Sequence, residues 1–419
     1  MADNALVEAL AGLGRRAQAA SRVLATSSTA ARDSALLGAA DLLETRAGEV
    51  LAANARDLDR AQAGGATDTA LDRLRLSPAR IGGMADGLRQ VAALGDPVGY
   101  VVDGWVRPNG LRVCRVRVPL GVVGVIYENR PNVTSDAAGL CLKSGNAAFL
   151  RGSSAAISSN RAIAGLLREA VAKAGLPADS VILVEDTSRE GAVAFMQLRG
   201  LIDCLIPRGG RSLVATVVDS ARVPYVIDGD GNCHVYVDAA ADLDMAEAIL
   251  ANAKCQRPSV CNAAETLLVH REVAGDFLAR LPDVLAGVEL VGDDSVCSAL
   301  AGATPATEDD WANEYLSLKL AVRVVDSIGD AIDHVARYGT GHSEAIVTND
   351  YAAAQRWCTE VDAAAVLVNA STRLVDGEEL GLGAEIGIST QRLHARGPMG
   401  LRELTTLKYV IRGDGQVRA

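Results

Sequence analysis

The chain has 419 residues, 49% of them hydrophobic, enough for more than one buried core and for two or three domains. Its formal net charge of -11, with acidic and basic residues intermixed and no basic block, excludes a nucleic-acid surface built on phosphate neutralisation and points to small-molecule partners. Only 3% of residues are aromatic while Ala, Val, Leu and Gly abound, which favours helices packed on parallel strands over an antiparallel sandwich.

From residue 5 to 93 apolar residues recur at helical spacing, as in Leu36, Leu37, Ala40, Leu42 and Leu43, with Gly64-Gly65 and Pro78 as punctuation. This predicts an all-helical opening layer. The N-terminus, where Asp3, Glu8 and Arg15 interrupt Ala and Leu, has no leader pattern, and no run of about 18 apolar residues follows, so neither secretion nor membrane insertion is expected. At Leu111, Val113, Arg115 and Arg117 charged and apolar residues interleave before the apolar run 122–126, the pattern of a two-stranded arm leading into a buried strand. An arm over 104–118 leaves edge groups open, a reason to expect pairing with another subunit.

Short apolar runs then alternate with helical stretches: 147–150 and 156–174, 181–184 and 190–198, 205–206 and 211–220, and finally 225–227. That alternation predicts a parallel sheet covered on both faces. After a helix at 245–253, strands at 266–269, 321–325, 345–348 and 365–368 begin a second α/β half. The eight cysteines (114, 141, 204, 233, 255, 261, 297 and 358) form no Cys-x-x-Cys pair, which predicts reduced thiols in a cytoplasmic setting. Five histidines without a zincin-like spacing suggest no metal site.

Asn252-Ala-Lys-Cys-Gln-Arg-Pro-Ser-Val-Cys261-Asn262 joins the two halves, where a two-domain enzyme places its cleft. Cys261 has small and polar neighbours, and Lys254 and Arg257 stand close enough in sequence to favour a thiolate if the loop folds back. An arbitrary cysteine in such a chain is more often a small buried hydrophobe.

Four segments are more specific: Arg117-Val-Pro-Leu-Gly-Val-Val-Gly-Val-Ile-Tyr-Glu-Asn-Arg-Pro-Asn-Val-Thr134, Gly231-Asn-Cys-His-Val-Tyr-Val-Asp238, Gln256-Arg-Pro-Ser-Val-Cys-Asn262 and the stretch from Leu382 to Gly400. Together they resemble the gamma-glutamyl phosphate reductases of the aldehyde dehydrogenase superfamily. The resemblance spans nearly the whole chain. It implies an aldehyde dehydrogenase-like α/β fold, with a Rossmann-like NADP-binding domain from 1–103 and 119–238, a catalytic domain at 239–375, and an oligomerisation arm and tail at 104–118 and 398–419.

It also implies NADPH-dependent reduction of L-glutamyl 5-phosphate to L-glutamate 5-semialdehyde, with Cys261 as nucleophile and Asn132 as an oxyanion donor. For the cofactor it points to Lys143, Gly145, Asn146 and Arg151, to Gly209 and Gly210 before a helix, and to Glu314 at the nicotinamide ribose. An arginine at 151 suits a 2′-phosphate. For the substrate carboxylate and ammonium the candidates are Arg373 or Arg396, with Ser371 or Thr372. Asp228, near the place where hydrolytic members carry a glutamate base, reads as part of a structural loop. The resemblance further implies a homo-oligomer. The lability of an acyl phosphate suggests transient contact with glutamate 5-kinase.

Overall fold

The helical spacing at the start of the chain folds, in a computed structural model that describes residues 4–418, into α1 (Asn4–Leu24), α2 (Thr29–Thr45), α3 (Ala47–Ala63), α4 (Asp68–Leu74) and α5 (Pro78–Ala93). Residues 1–3 and 419 of the expected first domain and tail lie outside the described residues. Local chemistry sets the helix starts. Ser28 accepts the Ala31 N–H, and Ser77 accepts the Arg80 N–H with Pro78 in the first turn, so otherwise orphaned donors are satisfied. The stripe Leu36, Ala39, Ala40 and Leu43 is fully buried.

Strands β1 (Val101–Val106) and β2 (Arg112–Pro119) form an antiparallel arm, and the C-terminal strand Thr405–Arg412 pairs with the free side of β2. The arm thus has three strands and begins at Val101, where the sequence suggests two strands from 104. Val101, Trp105, Tyr409 and Ile411 remain exposed on it.

β3 (Val122–Tyr127), β4 (Ala147–Arg151), β5 (Val181–Leu183) and β6 (Cys204–Arg208) make a parallel sheet in the order β5-β4-β3-β6. Every residue of β3 and β4 is buried, as parallel strands covered on both faces require. The intervening helices are α6 (Val133–Lys143), α7 (Ile157–Lys173) and α8 (Arg189–Met196), and α9 (Arg211–Ser220) follows β6. No strand forms at 225–227; Tyr225 makes only an isolated bridge to Leu205. No helix among the described residues is long and apolar enough to cross a membrane.

The second unit is a seven-stranded parallel sheet in the order β10-β9-β11-β8-β7-β12-β13. Its strands are β7 (Cys233–Val237), β8 (Ala264–His270), β9 (Glu289–Gly292), β10 (Thr304–Pro305), β11 (Lys319–Val325), β12 (Ser343–Val347) and β13 (Ala365–Val368). Along β7, Val235 and Val237 join the core with Leu250, Leu267 and Phe277, while Tyr236 faces Leu268, Ile346 and Trp357, the two-residue alternation of a strand.

Because β7 pairs with β8 and β12, the second compact unit begins at Asp228, ahead of the expected functional boundary at 238/239. Residues 381–387 and 399–419 belong to the first unit, and 388–398 to the second. The expected tail starting at 398 is therefore too coarse.

Candidate active site

Cys261 lies in the loop between α10 (Leu243–Cys255) and β8. Asp242 starts α10 by accepting the N–H groups of Asp244 and Met245. At its other end Lys254 Nζ donates to Glu265 Oε2 at 2.5 Å, with both side chains fully buried. Burial pulls the Lys254 ammonium down against the opposing effect of Glu265, and pushes the Glu265 carboxyl up to about 7 against that of Lys254. The sequence places Lys254 as an aid to the thiol; the structure corrects this. A buried ammonium needs its own carboxylate, and Glu265 supplies it.

Between these anchors the Val260 carbonyl accepts the Ala263 N–H at 3.1 Å, a turn with Cys261 and Asn262 at its central positions. Cys261 is half-buried. Gly231 packs on its backbone so closely that a Cβ there would lie 1.5 Å from the Cys261 carbonyl oxygen. The Gly231 N–H donates to Glu314 Oε1 at 2.8 Å, and Cys233 Sγ donates to the Cys261 carbonyl at 3.2 Å. Glu314, expected at a ribose, is therefore bonded to Gly231, which packs on the Cys261 backbone. The loop of Asp228 is tied down by the Gly229 N–H donating to Ile388 O at 3.2 Å and by a bridge to Ser389.

The substrate candidates divide. Asn369 closes β13 in the left-handed region, φ 55°, where asparagine is tolerated, and its amide pairs with the Thr348 N–H and carbonyl at 2.9 and 3.0 Å. The turn that follows presents Ser371, Thr372 and Arg373. Ser371 Oγ accepts the Arg373 N–H at 3.3 Å, and Thr372 is fully buried with no hydrogen-bond partner for its hydroxyl. Arg373 reaches back to the cysteine loop. Its Nε donates to Gln256 Oε1 at 2.8 Å and its Nη1 donates to Asn262 Oδ1, while Asn262 Nδ2 donates to Val375 O at 2.9 Å. Burial pulls its guanidinium down and Arg257 adds to that, against Asp376 and Cys261.

Arg396 is not brought to this cluster. Its Nη2 donates to Asp362 Oδ1 at 2.7 Å, a carboxylate that it shares with Arg392. It lines a cavity of about 340 Å³ with Val335, Thr340, Asp362, Thr390 and Arg392. The structure thus corrects its expected place beside Ser371 and Arg373.

In the first unit, ligands of an open parallel sheet belong at the carboxyl ends of the strands. Asn132 follows the end of β3 and heads α6; its side chain leaves the helix uncapped and Nδ2 donates to Asp136 Oδ2 at 2.8 Å. Arg151 ends β4, with Nη2 donating to Ser188 O at 2.6 Å and Nε buried without a hydrogen-bond partner. Burial draws this guanidinium down, with Asp186 opposing. Ser153 Oγ donates to Asn129 Oδ1 at 2.8 Å. Gly209 and Gly210 follow β6 and open α9. The Gly210 N–H donates to Glu128 Oε2 at 3.0 Å, and a Cβ on Gly209 would lie 2.7 Å from Glu128 Cδ.

Lys143, Gly145 and Asn146 are corrected, because they stand at the opposite, amino end of β4. Lys143 Nζ donates to Asp33 Oδ1 and Ala92 O, both at 2.6 Å. Asn146 Oδ1 accepts the Gly121 N–H at 2.8 Å and its Nδ2 donates to Leu404 O at 2.8 Å. Gly145 turns with φ 77°, where a Cβ would lie 2.8 Å from Pro119. All three hold the turn between α6 and β4. Glu128, near Asn132 in sequence, and Gln256 and Asn262, near Cys261, carry contacts to distant residues that the sequence does not mark.

Residues 4–305 match the model of the aldehyde dehydrogenase family. A gamma-glutamyl phosphate reductase of Syntrophomonas wolfei is 54% identical over 99% of this chain and 100% of its own length. One from Thermobifida fusca is 55% identical over 97% of this chain and 98% of its own. The crystal structure of the gamma-glutamyl phosphate reductase from Thermotoga maritima superposes with a TM-score of 0.96, at 47% identity, covering 98% of this chain and 100% of that one. Shared sequence and fold agree over nearly the whole chain, so this chain belongs to the aldehyde dehydrogenase family and, within it, to the gamma-glutamyl phosphate reductases.

Proposed function

We propose that this chain uses NADPH to reduce L-glutamyl 5-phosphate to L-glutamate 5-semialdehyde and phosphate, the second step from glutamate to proline. The observation that carries the reading is a half-buried Cys261 at the centre of a turn whose next residue, Asn262, accepts from Arg373. Cys261 sulfur attacks the acyl carbon, the carbon–oxygen bond to phosphate breaks, and a thioester remains on the enzyme. Negative charge on the carbonyl oxygen calls for preorganised donors, roles that the family resemblance gives to the Asn132 side-chain amide and to the Cys261 backbone N–H.

The family uses NAD(P), and the nicotinamide supplies the hydride that converts the thioester to the aldehyde. Arg151 fits the adenosine end, since its buried Nε has bonding capacity left and its charge suits a 2′-phosphate. The Gly209-Gly210 turn fits a diphosphate at a helix start, provided Glu128 yields the Gly210 N–H. Glu314 holds the ribose. Cytoplasmic placement accords with eight free cysteines. The three-stranded arm pairs with a second copy, and the labile acyl phosphate passes from glutamate 5-kinase by transient contact.

The test runs the reaction backwards, from glutamate 5-semialdehyde and NADP⁺, with and without phosphate, for the natural chain and Cys261→Ser. NADPH formation that needs both phosphate and Cys261 is the outcome this reading requires. Formation without phosphate would instead make the chain an oxidative aldehyde dehydrogenase. Cofactor binding with no turnover by either protein would leave a silent scaffold.

A further inference from the structure

Arg373 and Arg396 are held in different ways. Arg396 donates to a carboxylate, Asp362, whereas Arg373 is tethered through two neutral amide oxygens, those of Gln256 and Asn262. Neutral tethers orient a guanidinium without cancelling its charge. The one acidic side chain that acts on it, Asp376, has Oδ1 engaged by the N–H groups of Glu378 and Glu379. A second guanidinium, Arg257, stands on the same loop as Gln256 and close enough to repel it. Two like charges beside a nucleophile are unfavourable until an anion lies between them.

We infer that Arg373, with Arg257, forms a phosphoryl subsite: it holds the phosphate of the acyl phosphate as the substrate binds and receives it as it leaves. The subsite rests on the reading of Cys261 given above. Two anions of the substrate compete for this place, the phosphoryl group and the α-carboxylate. The phosphoryl oxygen is bonded to the very carbon that the sulfur attacks, while the carboxylate lies at the far end of the glutamyl chain. Asn262, which orients Arg373, directly follows Cys261. Position therefore favours the phosphoryl group. In the forward step the sulfur–carbon bond forms, the carbon–oxygen bond breaks, and its electron pair stays on a phosphate oxygen facing the guanidinium. In reverse, that oxygen attacks the thioester and the sulfur leaves.

The test uses the full chain and inorganic phosphate. Phosphate should slow alkylation of Cys261 by iodoacetamide in the natural protein. In Arg373→Gln the concentration for half-protection should rise about tenfold or more, the loss expected of a charge-assisted hydrogen bond. Arg373→Lys should recover part of it, which also guards against a variant that merely misfolds. In the reverse reaction the KM for phosphate should rise in Arg373→Gln while that for the semialdehyde changes little. A rise confined to the semialdehyde would assign Arg373 to the α-carboxylate and overturn the subsite, as would equal protection of all three proteins. Protection that depends on Arg373 in an enzyme whose turnover ignores phosphate would keep the subsite and discard the phosphate-linked reaction.

Discussion

At position 231 one methyl group is decisive, because a Cβ would fall 1.5 Å from the carbonyl oxygen of Cys261. Gly231→Ala must push the backbone of Cys261, the proposed nucleophile, or give up the bond from its N–H to Glu314. Displacement of about 1 Å at a reacting group costs on the order of 100-fold in rate. The expected result is therefore a loss of that size in kcat with a small change in Tm, measured side by side by kinetics and thermal melting. At this scale Cys261 and Asn132 are singled out by contiguous motif residues, Gln256 to Asn262 and Arg117 to Thr134. The sequence could not tell Arg373 from Arg396, since each one's partner lies elsewhere in the chain: Asn262 and Gln256 for the first, Asp362 for the second.

Between elements, the Lys254–Glu265 pair pins the end of α10 to β8 on either side of the cysteine loop. Lys254→Met removes the cation and leaves a buried carboxyl, at a cost of about 3–5 kcal/mol when that carboxyl is ionised. Its sign with pH follows from the raised folded-state value of Glu265, already about 7 with its partner present. A raised carboxyl stabilises the fold most when protonated and loses that contribution as pH rises through the folded value. Chemical denaturation should thus find Lys254→Met more severely destabilised at pH 8 than at pH 5.5; an equal penalty at both would contradict the pairing. Among the strands, β3 and β4 are legible as continuous apolar runs, and β8 and β11 as mostly apolar ones. β9 and β10 are not, being short and carrying exposed residues such as Glu289 and Thr304, and 225–227 has the composition of a strand but only a single bridge.

For the whole molecule, acid stability follows from histidines kept neutral inside. His334 is drawn down to about 2, chiefly by burial and further by His234, Arg323 and Arg337, and Arg323 Nη1 lies 2.9 Å from its Nδ1. Burial draws His342 to about 4. A depressed value means stability present above the unfolded value near 6.5 and lost as pH falls below it. The variant His334→Leu escapes this loss, so its stability relative to the natural chain should improve by about 1.4 kcal/mol per pH unit below 6.5. Melting both proteins from pH 7.5 to 5 tests this, and a gap independent of pH would refute it.

What the sequence determined by itself was local or contiguous: helical and strand periodicity, the α/β class, and a family resemblance carried by unbroken motifs. Tertiary structure decided which distant side chains share a bond. It turned Lys143 and Asn146 into the amino-end support of β4, gave Lys254 to Glu265, closed the arm with strand Thr405–Arg412, set the start of the second compact unit at Asp228, and joined Arg373 to the cysteine loop. The reason is physical. Periodicity is written in neighbouring residues, whereas burial forces each polar group to find a partner wherever the fold supplies one, and that choice has no local signature.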